Sequence, residues 1–422
     1  MRRRIRGIQD VAEWQQCTGC GICAFVQPDT ITMVDDPDAG RRPVVAWQGG
    51  SPASTEAAMR VCPGIELRHG PAADGSIPEL LKRWGPVLEL WEGYAADEEI
   101  RRSGSSGGAA TALALQQVET GQAHGVLHIR ARKDLPLLNE TVLSSCRQQL
   151  LAATGSRYAP ASPCDGLQLL VNADGPGVFI GKPCDVAATQ RARADHPALD
   201  ESLGLTIAIF CAGTPNLKGT LEMLERMGID DPRLVESLRY RGDGWPGEAT
   251  ATFRSAMGSL ETRSLTYDQS WGDILQRHRQ WRCYVCADHT GEFADIAVGD
   301  PWYRKIEPGE PGRSLILART ERGRAAVRNA IEQGVLVAHQ VPPEALPASQ
   351  PGLRKVRGAV WGRLSILAAL GLPRPRYRGL PTLGSWFWIL TWREKAQSTL
   401  GTLRRVLRRE LYRRQPVREL EK

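Results

Sequence analysis

Eight of the ten cysteines in this 422-residue chain sort into two sets of four. Cys17, Cys20 and Cys23 stand in CTGCGIC and Cys62 in VCPG; Cys184 follows in GKPC, Cys211 in IAIFC, and Cys283 and Cys286 in CYVC. A C-x2-C-x2-C run delivers three thiolates from one loop, the compact way to supply a [4Fe–4S] cluster. The fourth cysteine of a compact ferredoxin run is missing here, because Gln27 stands in its place before Pro28. Cys62-Pro63 restores the Cys-Pro pair and is a candidate fourth ligand. Four-cysteine zinc is the alternative, although structural zinc usually takes two separated pairs. A three-iron cluster, or Asp or water as fourth ligand, is the reading if Cys62 is distant.

The second set is weaker on spacing alone. C-x2-C serves zinc, redox pairs and clusters alike, and a lone cysteine after a strand is most often a small buried hydrophobe. Cys184 and Cys211 each end an apolar run, however, and strand ends along one edge of an α/β sheet are where cofactors sit. Cys146 and Cys164 fit neither set and read as buried thiols.

Metal-type cysteine spacing, with no apolar stretch ahead of Cys17, leads us to expect a reducing cytoplasm rather than a disulfide framework. No run approaches the length of a membrane span. Of the net charge of +7, residues 393–422 carry +6, from ten Lys or Arg against four Glu. The charge describes a tail, and no nucleic-acid partner is expected.

Three regions are expected. Residues 1–72 form a small cysteine-bearing, ferredoxin-like module: two short strands in TITMVDD and RRPVVAW around DPDAG, then a helix in STEAAMRVC. A Gly/Pro-rich linker, HGPAADGSIPE, follows. Residues 86–345 alternate apolar runs (GVLHIRA, LQLLVN, GVFIG, TIAIFC, IAVGD), mostly strands, with helical stretches including SGGAATALALQQVETG, CDVAATQRARA and NLKGTLEMLERMG. That alternation predicts a mixed α/β domain. Residues 346–422 are a Trp-rich, basic helical tail. Leu400, Leu403, Leu407 and Leu411 recur there at helical spacing, with arginines between them. Such a stripe either lies on an anionic membrane surface or packs on the body or a partner.

RRSGSSGGAATALA, from Arg101, places two arginines and a Ser/Gly loop before a helix, which suits a phosphate or pyrophosphate; a flexible loop capped by Ser106 is the plainer reading. It is neither a Walker sequence nor G-x-G-x-x-G.

Taken in order, CTGCGIC, CPGIEL, SGSSGGAATAL, GSRYAPAS, GKPCDVAA, IAIFC, RYRGDGWPG and CYVCADHTGEFADIAVGD resemble the coenzyme F420 hydrogenase/dehydrogenase beta-subunit family. That family takes in ferredoxin-linked reductases of the 7-hydroxymethyl chlorophyll a type, and the resemblance spans about residues 10–345. It implies FAD, one or two [4Fe–4S] clusters, and electron exchange with coenzyme F420, ferredoxin or a partner subunit. By the same resemblance, Ser103, Ser105, Ser106, Gly107, Gly108 and Thr111, with Arg157 and Tyr158, would hold flavin. Cys184, Cys211, Cys283 and Cys286 would hold a second cluster beside the Cys17/Cys20/Cys23/Cys62 site. RYRGDGWPG would approach flavin and substrate, with Asp300, His289 and Asp288 as candidate proton donors. The expected function is a flavin/iron–sulfur oxidoreductase, cytoplasmic or held at the inner membrane face. The alternatives are a non-catalytic electron-transfer subunit, a ferredoxin-dependent reductase of an organic substrate, and a zinc-stabilised binding protein.

Overall fold

The structure is a computed structural model that describes residues 4–48, 51–70, 74–307 and 309–420. Its centre is an eight-stranded mixed sheet. Four strands run parallel in the middle: Val126–Ala131, Gly177–Gly181, Leu203–Ile209 and Ile296–Gly299. Asn139–Ser144 pairs antiparallel at one edge, and Ser314–Ala318, Glu89–Ala95 and Leu336–Gln340 do so on the other side.

Side chains alternate across these strands with period two, so both faces are apolar. Leu127, Phe179, Ala208, Ala297 and Leu315 join one core. Val126, Val178, Ile207, Ile296 and Ile316 join the other. Helix Pro183–Arg193 covers the first face through Val186, Ala188 and Ala192. Helix Ala109–Glu119 covers the second through Ala112, Leu113 and Leu115. Burying each such large aliphatic side chain contributes about 1.5–3 kcal/mol. The mixed α/β expectation holds.

One expected strand does not form. The LQLLVN run is a helix, Leu167–Val171, that buries Leu167 and Leu170. Leu and Gln are good helix formers, and a 3-10 turn at Pro163–Gly166 launches them.

Strands Ile31–Asp36 and Gly40–Val45 form the expected hairpin in the first cysteine region. The linker expectation over HGPAADGSIPE falls partly on residues 71–73, outside the described residues; its end opens a further helix, Pro78–Trp84. A separate antiparallel sheet joins Val235–Arg239, Ala249–Arg254 and Leu260–Leu265.

The C-terminal residues strap the molecule together. Helix Pro351–Ala369 buries Arg357 against the buried Glu292 carboxylate. Strand Arg376–Arg378 pairs with Glu66–Arg68. Farther on, the Gln415 amide donates to Glu13 O (2.9 Å) and the Leu420 amide to Asp35 O (2.7 Å). No helix among the described residues is long and apolar enough to cross a membrane.

Candidate functional site

All four parallel strands end at one cavity of about 290 Å³. Ile129 comes from the first, Gly181 and Lys182 from the second, Ile209 to Cys211 from the third, and Val298 to Asp300 from the fourth. The carboxyl edge of parallel strands is where an α/β sheet leaves a crevice, because the connecting chain departs there in different directions.

The start of helix Ala109–Glu119 forms one wall. Gly108 precedes it with a φ of +73°, and no side chain caps the first turn. Its free N–H groups and positive helix end therefore face the cavity beside Ala109, Ala110 and Thr111. A Cβ on Gly108 would stand 2.5 Å from Ile100 O, so this turn is open only to glycine. Of the residues expected to hold flavin, Ser105, Ser106, Gly108, Thr111, Arg157 and Tyr158 line the cavity, and Ser103 and Gly107 do not. Gly107 instead lets the loop approach the Arg313 backbone. Ser105 is fixed by the Ser156 amide (2.6 Å), and Arg157 by Asn139 Oδ1 (2.8 Å) and Leu238 O (2.6 Å). An uncapped helix start, glycines that keep the approach clear, and cations across the gap are a donor set that fits a dinucleotide pyrophosphate.

The opposite wall brings residues that spacing did not single out. The Lys182 ammonium donates to Asp185 Oδ2 at 2.7 Å, and both line the cavity. Burial alone would lower the Lys182 pKa, but the Asp185 carboxylate holds it above its ordinary value. Trp302 stacks between Trp245 (5.3 Å) and Tyr267 (5.5 Å). Lys182 sits inside the GKPC string, so a cation next to a cysteine was the available signal. Of the aromatic stack, Trp245 belongs to the RYRGDGWPG string, whereas Tyr267 and Trp302 lie in none of the strings that carry the resemblance.

Of the three candidate proton donors, Asp300 lines the cavity and the other two do not. Asp300 lines the cavity, but both its oxygens accept from the buried Arg241 guanidinium, and Oδ1 also accepts from Trp245 Nε1 (2.7 Å). It anchors the RYRGDGWPG loop. His289 is not among the lining residues; its Nδ1 faces Cys211 O at 2.9 Å, and burial pushes it down to about 4. It is a neutral wall residue behind Cys211. Asp288 is likewise internal, its oxygens accepting from the amides of Thr290, Gly291 and Glu292.

The first cysteine set is buried and assembled from two segments. Gly19 (φ +75°) and Gly21 (φ +88°) turn the loop sharply between Cys17, Cys20 and Cys23, and Cys62 arrives from the end of helix Glu56–Val61. Burial raises the Cys17, Cys23 and Cys62 thiols, Cys62 to about 12, and the neighbouring thiols of the set raise each of them further. Cys20 is lowered, chiefly by a hydrogen bond with Cys164. Cys164, fully buried, also reaches Asp185 O (3.4 Å) and so links the first set to the cavity wall; Cys146 is exposed, against expectation, because it precedes helix Arg147–Leu151 at the surface.

The second set meets behind the opposite wall. Cys184 begins helix Pro183–Arg193, Cys211 follows strand Leu203–Ile209, and Cys283 and Cys286 flank the end of helix Trp281–Tyr284. Burial, aided by the other cysteines, pushes Cys211 up to about 12 and, against the pull of Arg282, Cys286 to about 11. Burial and then Asp185 hold Cys184 well above its usual value. Among the described residues, no group of three or more His, Cys, Asp or Glu forms a ready single-ion site. The chemistry of each set, thiols only and none in a disulfide, fits an iron–sulfur cluster.

Sequence comparison agrees with this architecture. Models of coenzyme F420 hydrogenase/dehydrogenase, beta subunit, match at residues 90–168 (N-term) and 177–344 (C terminus). The chain belongs to the coenzyme F420 hydrogenase/dehydrogenase beta-subunit family. It is 23% identical over 262 residues to the coenzyme F420 hydrogenase subunit beta of Methanosarcina barkeri, covering 60% of this chain and 81% of that one. It is 24% identical over 249 residues to the Methanococcus voltae subunit of the same name (57% and 80%). A chain of the F420-reducing [NiFe] hydrogenase complex from Methanosarcina barkeri shares the fold, with a TM-score of 0.51 and 20% identity over 66% of this chain and 93% of that one.

Proposed function

We propose that this chain is a redox subunit that binds FAD in the strand-end cavity and passes electrons between coenzyme F420 or ferredoxin and a substrate or partner subunit. The observation that carries the reading is the cavity itself: an uncapped helix start on one side and, on the other, Cys211 with the second thiol set behind it.

The Ser105–Thr111 loop and Arg157 would hold the flavin, and the two cysteine sets one [4Fe–4S] cluster each. A flavin exchanges electron pairs and a cluster single electrons, so together they supply a two-electron to one-electron switch. The chain's own residues position and insulate. Arg241, held by Asp300, packs over Tyr267 and Trp302, which line the cavity, with Trp245 stacked behind Trp302. Lys182 keeps a positive charge where negative charge would develop. Cys164 and Asp185 fill the gap between the first cysteine set and the cavity with polarisable and polar atoms. The relatives are named as subunits of a hydrogenase, so a partner subunit belongs to this reading.

Anaerobic mixing with chemically reduced F420, and separately with reduced ferredoxin, tests it. Bleaching of protein-bound flavin by either donor is expected. A flavin-loaded protein that neither donor reduces would contradict it.

A further inference from the structure

The tail helix Trp392–Arg408 faces the opposite way from what its composition suggests. Its inward face is Lys395, Ser398, Thr402 and Val406, all buried. Leu400 (67% exposed), Leu403 and Leu407 (61%) point outward with Trp392 (82%). At about 100° per residue these four fall within roughly 80° of arc. Only Leu411, beyond the helix, turns into the core.

The inward face is settled by its contacts. Gly362 of helix Pro351–Ala369 lets Ser398 approach so closely that a Cβ there would stand 2.5 Å from its Oγ. Ser398 Oγ also accepts from Trp386 Nε1 at 3.0 Å, and Thr402 Oγ1 donates to Ser398 O at 2.7 Å. A small-residue face thus meets a small-residue face, and the leucines are left outside.

The preceding helix, Thr382–Ile389, continues the apolar surface with Leu383, Phe387 and Trp388 (73% exposed). The Lys395 ammonium lies 4.7 to 5.2 Å from the ring centroids of Trp386, Phe387 and Trp392, which ties the two helices into one hairpin. Arg405 and Arg409 turn inward over Tyr284, while Arg393, Arg404 and Arg408 stay exposed along one flank of the leucine arc.

We propose that this hairpin is a membrane-surface contact whose exposed aromatic and leucine face inserts among the headgroups of an anionic bilayer. Charge selects the occupant. The exposed guanidinium groups of Arg393, Arg404 and Arg408 along the apolar arc repel a second copy and attract anionic headgroups. Tryptophan and arginine beside an apolar arc are the composition of a helix lying in the interface plane. The contact is peripheral, since neither helix is long and apolar enough to cross. It does not rest on which cofactors are bound.

The test is flotation of the full-length protein on vesicles of equal parts phosphatidylglycerol and phosphatidylcholine, beside vesicles of phosphatidylcholine alone. Wild type should rise with the anionic vesicles, release in high salt, and stay down with the neutral ones. The combined variant Leu400→Glu, Leu403→Glu, Leu407→Glu alters exposed positions only, so its circular dichroism should match wild type while flotation is lost. Arg404→Ser with Arg408→Ser should weaken flotation in the same direction. Wild type remaining at the bottom with both vesicles, or the Glu variant floating equally, would overturn the proposal. So would a lipid-free wild-type oligomer that the Glu variant splits into monomers without any flotation, which would make the face an interface between copies.

Discussion

The side-chain oxygen of Gln27 accepts a 3.0 Å hydrogen bond from the Ala58 amide, while its Nε2 donates to Ser54 O at 2.9 Å. Gln27 stands where a compact ferredoxin run would place its next cysteine. Here it clamps the start of helix Glu56–Val61, whose far end presents Cys62. The substitution that removes one thiol from the loop thus holds in place the segment that brings another.

Cys62→Ser should therefore cost the N-terminal cluster and spare the second. Iron content would fall by about four atoms per chain, one four-iron cluster, with flavin retained. Unchanged iron in the Cys62→Ser protein would remove Cys62 from the ligand set.

Gln27→Ala deletes both bonds of the clamp, a loss of about 1–3 kcal/mol. The N-terminal cluster should form but bleach faster in chelator than that of wild type. Equal bleaching rates would mean that helix Glu56–Val61 is held by its packing alone.

Arg282 joins the two cysteine sets. Burial raises both Cys286 of the second set and Cys17 of the first; the Arg282 charge opposes that rise at Cys286 and, behind Arg42, at Cys17, and its forks bond Pro63 O (3.0 Å) and Tyr377 Oη (2.9 Å). A nearby cation favours the more negative, reduced form of a cluster. Arg282→Gln should lower the midpoint potentials, by ~59 mV for each 1.4 kcal/mol lost in a one-electron couple. A redox titration followed by electron paramagnetic resonance reads this, and Arg282→Lys should restore part of the shift. Potentials unmoved by Arg282→Gln would make the residue a structural tie only.

His128 lines the cavity, with Nε2 2.8 Å from Ser144 Oγ, and burial pushes it down to about 4 from an ordinary 6.5. With the folded value below the unfolded one, its contribution to stability is intact above pH 6.5 and is lost as pH falls towards 4. Up to about 3 kcal/mol is at stake. Nuclear magnetic resonance titration of its ring should show it neutral at pH 5; protonation near 6.5 would contradict the burial argument.

How far the sequence led can be judged from particular residues. The β-branched runs of Leu203–Ile209 and Ile296–Gly299 and the glycine turn before Ala109 are local signals, and the structure has the elements they call for. LQLLVN misled because an apolar run of that length suits strand and helix equally. Arg241 and Trp245 lay in the RYRGDGWPG string and Asp185 in GKPCDVAA, but their partners did not follow from spacing, and Tyr267 and Trp302 join them only through the topology of the sheet. The leucine periodicity of the tail was legible, but its direction was not. Which face packs inward depends on Gly362 and Ser398 meeting across two helices.

The most direct test of the central claim is metal and flavin analysis of the full-length protein purified without oxygen. One flavin and about eight irons per chain are expected, as two four-iron clusters require, with cluster absorbance beneath the flavin bands. Zinc in place of iron, with no flavin, would contradict it.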